Sequence, residues 1–174
     1  MTVSMQRILF VTDFSAPARN AQRYAVNLAE TFGAQLYVLH AVTEDVFVPA
    51  PDVATVWLQA EVERARKSLV VEVEAIQTTR PVIQEVVQGN AAQQIIRYAA
   101  DQKIDLIVLG THGRTGLSRF LLGSVAEKVV RLATCPVLIE SAVVPLVCSA
   151  RTPELSAEDL SPALPELTPL SALM

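Results

Sequence analysis

Five short apolar runs alternate along this chain with four longer segments whose apolar residues recur every three or four positions. This alternation is typical of strands and helices that take turns, and each helix returns the chain to the same end of a parallel sheet. The runs are rich in Val, Ile and Leu, as strands buried on both faces are. The sequence therefore predicts an α/β fold, with predicted strands at residues 8–11, 35–42, 82–87, 106–109 and 137–139.

Residues that commonly begin or end helices stand at the predicted boundaries. Side-chain oxygens of Ser, Asp and Asn accept hydrogen bonds from free amides at a helix start, so the expected N-caps are Ser15, Asp52 and Asn90. Gly33 follows the first helix, residues 18–32, as a stop. The spacing of Ser124 and Glu127 predicts a capping box at the start of the last helix.

Composition narrows the classes of partner. The net charge is −4 and no basic run occurs, so the chain offers no electrostatic footprint for nucleic acid. Cys135 and Cys148 are too few for a disulfide framework and are expected to be reduced thiols. No signal segment and no long apolar run is recognisable, so we expect a soluble, cytoplasmic protein that does not bind membranes.

The composition changes after Glu140, which divides the chain into an expected domain at 1–140 and a tail at 141–174. The tail holds five of the ten prolines and most of the net negative charge. Its last leucines recur every third residue, so they would share one edge of a polyproline II helix. We expect the tail to be flexible, or to dock on a dimer or over a ligand.

Four of the six glycines fall between the fourth predicted strand and the last helix, at positions 110, 113, 116 and 123. Ligands of open α/β sheets bind beyond the carboxyl ends of the strands, where this loop begins. Glycines let backbone amides approach an anion, and a helix N-terminus adds free N–H donors. His112 and Arg114 could add further donors. The loop alone is equally compatible with phosphate binding and with an ordinary connection.

The pattern Gly110-x2-Gly113-x9-Gly123-Ser124 is neither a P-loop nor a dinucleotide fingerprint. It closely resembles the ATP-binding motif of universal stress proteins. The segments VTDFS at 11–15 and LHAV at 39–42 resemble the ends of that family's first two strands, and the likeness extends over residues 5–140.

This resemblance implies a Rossmann-like, five-stranded parallel sheet of order 3-2-1-4-5, similar to the adenine nucleotide alpha hydrolases, with helices on both faces. It implies that Thr12 and Asp13 lie near adenine and ribose and that Ala41 offers backbone contacts. The candidate ATP-binding residues are Val11, Thr12, Asp13, Ala41, Leu109, Gly110, His112, Gly113, Arg114, Gly123, Ser124 and Val125.

The resemblance also implies a regulatory role in the stress response and a homodimer paired through an exposed edge near Val137, Leu138 and Ile139. Mg²⁺ would arrive on the phosphates, since the loop has no cluster of carboxylates. The protein partner is not predicted.

Two alternative functions remain, a scaffold of the same fold that binds no nucleotide and a slow ATPase. A serine hydrolase is disfavoured because no G-x-S-x-G elbow surrounds Ser15 or Ser124.

Overall fold

The computed structural model describes residues 4–43, 51–110, 123–140 and 146–148, with the backbone alone for 51–53 and 146–148. The strands are β1 (Arg7–Val11), β2 (Gln35–Val42), β3 (Val82–Gln88), β4 (Leu106–Gly110), β5 (Val137–Glu140) and β6 (Leu146–Cys148). The helices are α1 (Ala16–Phe32), α2 (Pro51–Glu74), α3 (Ala91–Asp101) and α4 (Ser124–Leu132).

The strands form a single sheet of order β3-β2-β1-β4-β5-β6. The first five are parallel, which confirms the predicted α/β fold and the order 3-2-1-4-5. β6 is an additional strand that the sequence did not predict, and it pairs antiparallel with β5. The chain moves outward from β1 to β3 and then returns to β4, so the strand order reverses between β1 and β4. A crevice forms at such a reversal.

Side chains alternate between the two faces of the sheet, and each face is covered by a pair of helices. Ile8 and Phe10 of β1 pack with α1 and α2 in one core. Leu9, the residue between them, packs with α3 and α4 in the other. All three side chains are fully buried. Burial on both faces explains why residues 8–11 of β1 and 106–109 of β4 are all apolar.

The helix boundaries confirm three of the predicted signals. The Ser15 hydroxyl accepts a hydrogen bond from the Ala18 amide at 3.3 Å, and Asn90 caps α3 in the same way. Gly33 ends α1 with φ 66°, a left-handed conformation that suits glycine. The prediction of Asp52 as a cap is wrong, because α2 already includes Pro51.

The predicted capping box of α4 is also wrong. Gly123 is the N-cap, so the N-cap residue has no side chain to cap the helix, and Ser124 is the first helical residue. The Glu127 carboxylate instead forms an ion pair with Arg131 at 2.7 Å, one turn further along the exposed face. The box fails because Gly123 takes the extended N-cap conformation, so the helix begins one residue earlier than the box requires.

The prediction that the outer edge of β5 is exposed is wrong, because another strand covers that edge. Leu146–Cys148 pairs there, with Val137 opposite Cys148 and Ile139 opposite Leu146. The strand that was predicted to be free for a second copy is therefore already paired within its own chain. The predicted polyproline II leucines lie outside the described residues.

Candidate functional site

A cavity of about 240 Å³ lies at the carboxyl ends of β1 and β4, where the strand order reverses. Strand ends and helix starts form its walls together, since β1 leads into α1 and the chain enters α4 at Gly123. The lining is mainly apolar, with a few polar groups from the turn after β1 and the start of α4. A small concave site of this composition is typical of ligand pockets.

Nine of the twelve predicted binding residues line this cavity together: Val11, Thr12, Asp13, Ala41, Leu109, Gly110, Gly123, Ser124 and Val125. His112, Gly113 and Arg114 lie outside the described residues. The structure adds four lining residues that the sequence did not single out: Ala18, Ala91, Ile95 and Ala126. Three of these are alanines near helix starts, where a small side chain leaves room for a ligand.

Thr12 is the most constrained polar residue of the site, and it is 2% exposed. Its amide donates to the Leu39 carbonyl at 3.0 Å, and its carbonyl accepts from Nδ1 of His40 at 2.8 Å. Its hydroxyl accepts from the Phe14 amide at 3.0 Å and donates to Oε1 of Glu72 at 3.1 Å. Four hydrogen bonds therefore hold Thr12 to β2, to its own turn and to α2.

Phe14 has φ 66°, which a residue with a bulky side chain rarely adopts. Its amide donates a hydrogen bond to the Thr12 hydroxyl, and its carbonyl accepts a hydrogen bond from Arg19 at 3.1 Å. Its ring lies on the His40 ring with centroids 4.3 Å apart. Such strain persists only where surrounding contacts enforce it, and it is concentrated at functional sites.

The tight turn presents Asp13 to the cavity. One oxygen of the carboxylate, Oδ1, accepts from the Ser15 amide at 3.0 Å. The other, Oδ2, is buried and has no hydrogen-bond partner in the part of the chain that the structure describes. An unpaired buried acceptor costs free energy, so a hydrogen bond from a ligand hydroxyl or amine to Oδ2 would be stabilising.

The opposite side of the cavity is built from backbone. A Cβ at Gly110 would lie 3.1 Å from the carbonyl carbon of Pro17 and 3.3 Å from the amide nitrogen of Ala18. β4 therefore lies so close to the start of α1 that a side chain at position 110 would require the backbone there to shift by a few tenths of an ångström. Ser124 and Val125, whose amides belong to the first turn of α4, line the same cavity, and the N-cap Gly123 has no side chain to bond those amides. Such amides favour anions.

Glu72 is the polar residue behind the site that sequence reasoning missed. It is half-buried, and burial raises the pKa of its carboxyl above the ordinary value, although the Thr12 hydrogen bond opposes the rise. Its second oxygen, Oε2, is buried without a partner among the described residues. Glu72 lies in α2 next to the predicted apolar stripe at Leu69 and Val73, and that stripe predicts packing but no contact with β1.

Comparison with known proteins decides the family. The model of the universal stress protein family matches residues 5–140. The chain belongs to this family. A universal stress protein of Methanocaldococcus jannaschii is 37% identical over 139 residues, which cover 77% of this chain and 81% of the relative.

Solved universal stress proteins share the fold. Universal stress protein UspA from Lactobacillus plantarum has a TM-score of 0.71 and 30% identity, and the match covers 80% of this chain and 99% of that one. A universal stress protein solved in complex with cAMP has a TM-score of 0.53 and 26% identity over 79% of this chain and 97% of that one.

The described residues of this universal stress protein include no candidate metal site and no candidate membrane span. Within the described ranges, no three His, Cys, Asp or Glu side chains form a group that could hold a metal ion. None of the helices, over the residues the structure describes, is long and apolar enough to cross a bilayer.

Proposed function

We propose that this protein is a cytoplasmic, ATP-binding regulatory module of the stress response. The observation that carries the proposal is the cavity at the carboxyl ends of β1 and β4, which Asp13 lines from one side and the first residues of α4 line from the other. These two features suit the two ends of a nucleotide, a sugar with hydroxyl donors and a chain of phosphates. The relative solved with cAMP supports an adenine nucleotide as the ligand.

The β1 side is proposed to hold the nucleoside. Oδ2 of Asp13 would accept from a ribose hydroxyl, and that bond would satisfy the buried oxygen. The backbone near Ala41, at the end of β2, would contact adenine. Apolar lining from Val11 and Leu109 suits the faces of a flat base.

The α4 side is proposed to hold the phosphates. The amides of Ser124 and Val125 stand at the positive end of a helix dipole and carry no side-chain cap. Gly113, His112 and Arg114 belong to the same proposal through the motif. Mg²⁺ would bind to the phosphates themselves, because the described residues supply no ligand cluster.

The direct test is to denature freshly purified protein, identify released small molecules by mass spectrometry, and then titrate emptied protein with ATP and GTP by calorimetry. We expect released adenine nucleotide, or stoichiometric binding of added ATP, and weaker binding of GTP. If no adenine nucleotide is released and added ATP does not bind, the proposal is overturned and a scaffold without nucleotide is favoured. Incubation with ATP at the same concentrations tests for slow hydrolysis.

We also propose that the protein acts as a homodimer through β5. Because β6 pairs with that edge in the same chain, dimerisation through β5 requires β6 to leave it. Light scattering after size exclusion should show a chain ending at Glu140 dimerising at lower concentration than the full chain. Monomers for both chains would overturn a dimer through this edge.

A further inference from the structure

The surroundings of Glu72 are energetically unfavourable for a carboxylate. Its carboxylate is half-buried between α2 and the turn after β1, and only one of its oxygens has a hydrogen-bond partner among the described residues. Removing a carboxylate from water costs free energy unless it is well paired. An apolar residue would extend the packing of Leu69 and Val73 at lower cost, so α2 itself does not require Glu72.

Among the described residues, Glu72 has one hydrogen bond, and its partner Thr12 lines the nucleotide cavity. Oε1 accepts from the Thr12 hydroxyl, which fixes the direction of that hydroxyl's lone pairs. One of those lone pairs accepts the Phe14 amide, which holds the left-handed backbone at Phe14. Asp13 lies in the chain between Thr12 and Phe14, which the second of these hydrogen bonds joins.

We propose that Glu72 is a positioning residue of the nucleotide site: it orients the Thr12 hydroxyl and thereby holds the turn that presents Asp13 to the ligand. The inference rests on the proposed function and deepens it by assigning a role to α2, which contributes no described residue to the cavity lining. It also connects the site with a second cavity of about 500 Å³ between α1 and α2, which Glu72 and Phe14 both line.

A double-mutant cycle on ATP affinity tests the route through Thr12. Glu72→Ala and Thr12→Val should each weaken ATP binding about tenfold, because each removes a bond that organises the turn. The double variant should be no weaker than either single variant, since both act on one path. Additive losses would overturn the proposal.

Two further variants separate positioning from general damage. Glu72→Gln keeps an acceptor oxygen for Thr12 and should bind ATP within about threefold of the wild type. Glu74→Ala removes an exposed carboxylate from the same helix and should leave affinity unchanged. A glutamine variant as weak as the alanine variant would contradict a role through the Thr12 hydrogen bond.

Amide hydrogen exchange in nucleotide-free protein makes the test independent of the ligand. The Phe14 amide should exchange about tenfold faster in Glu72→Ala and Thr12→Val than in the wild type, because its acceptor is lost or misdirected. If exchange rises while the wild type binds no adenine nucleotide, the proposed function fails and the link from Glu72 to the turn stands. Unchanged Phe14 exchange in Glu72→Ala overturns the link.

Discussion

The two sides of the cavity are built from different materials. The β1 side depends on side chains, since Thr12, Asp13 and Glu72 determine its turn through hydrogen bonds and a strained Phe14. The β4 side depends on backbone, with a glycine packed against the start of α1 and bare amides at the start of α4.

This difference matches the two kinds of recognition that a nucleotide requires. A base and a sugar have directional donors and acceptors, which fixed side chains can distinguish. Phosphates are charged at every oxygen, and a set of amides with a helix dipole suffices to bind them. Substitutions on the β1 side should therefore affect ATP and AMP alike, whereas substitutions at α4 should affect ATP more strongly.

Gly110→Val should have the largest effect, because it separates the two sides. Its Cβ would meet backbone atoms of Pro17 and Ala18, so α1 must shift and the turn with it. We expect a loss of stability of about 1–3 kcal/mol. ATP and AMP affinity should both fall by about 100-fold, measured by calorimetry.

Gly33→Ala provides the matched control for stability. It forces a side chain into a left-handed position at the far end of α1, at a cost of about 1–2 kcal/mol. Its nucleotide affinity should equal that of the wild type. If both variants lose the same affinity, the loss in Gly110→Val is explained by reduced stability alone.

Gly123→Asp tests the backbone side with charge. Aspartate is a better N-cap than glycine, so α4 should gain a few tenths of a kcal/mol. The same carboxylate would repel phosphates, and we expect ATP affinity to fall roughly 30-fold and AMP affinity less. Gly123→Asn, a neutral cap, should stabilise α4 with a smaller loss. Equal losses for ATP and AMP would break the assignment of α4 to the phosphates.

Asp13→Asn tests the side-chain side. Its Oδ1 can still accept from the Ser15 amide, while the amide group replaces the unpaired Oδ2. We expect ATP and AMP to bind about tenfold more weakly, because a hydroxyl loses its charged acceptor. Thermal stability should be unchanged or slightly higher. Wild-type affinity in this variant would show that Oδ2 does not contact the ligand.

Ser124 distinguishes amide from hydroxyl and should give the smallest effects. Ser124→Ala keeps the amide and should change ATP affinity by about twofold or less. Ser124→Pro removes the amide at a helix position that proline favours, and Gly123 already has the extended conformation that precedes proline. We expect about fivefold weaker ATP binding with α4 intact. A larger loss for alanine than for proline would assign the contact to the hydroxyl.

The regular part of the fold was readable from the sequence. β2 begins and ends at the predicted residues, Gln35 and Val42, and the sheet order follows the family resemblance. The bounds of β2 depend on local apolar patterning, which survives folding because the strands are buried on both faces, whereas the sheet order depended on the resemblance. Strand ends and glycines at the reversal of strand order indicated Asp13, Gly110 and Gly123, and the other predicted cavity residues followed from the resemblance.

The features that the sequence did not reveal depend on contacts between distant residues. β6 is a short run in a segment containing several prolines, and only its proximity to β5 makes it a strand. Glu72 meets Thr12 across 60 positions, which helical periodicity cannot indicate. At α4, the helix begins one residue earlier than the predicted capping box requires, with Gly123 at the N-cap.

The central strand pair has a consequence for how the molecule folds. β1 joins β4 with Ile8 opposite Leu106, and the Gln6 amide bonds to Asp105 across 99 positions. Closing so long a loop is slow compared with forming the neighbouring pair of β1 and β2. The cavity lies at the end of the pair that closes this loop. The cavity can therefore hold a ligand only after β1 and β4 have paired, so a ligand bound there would report that this long-range contact has formed.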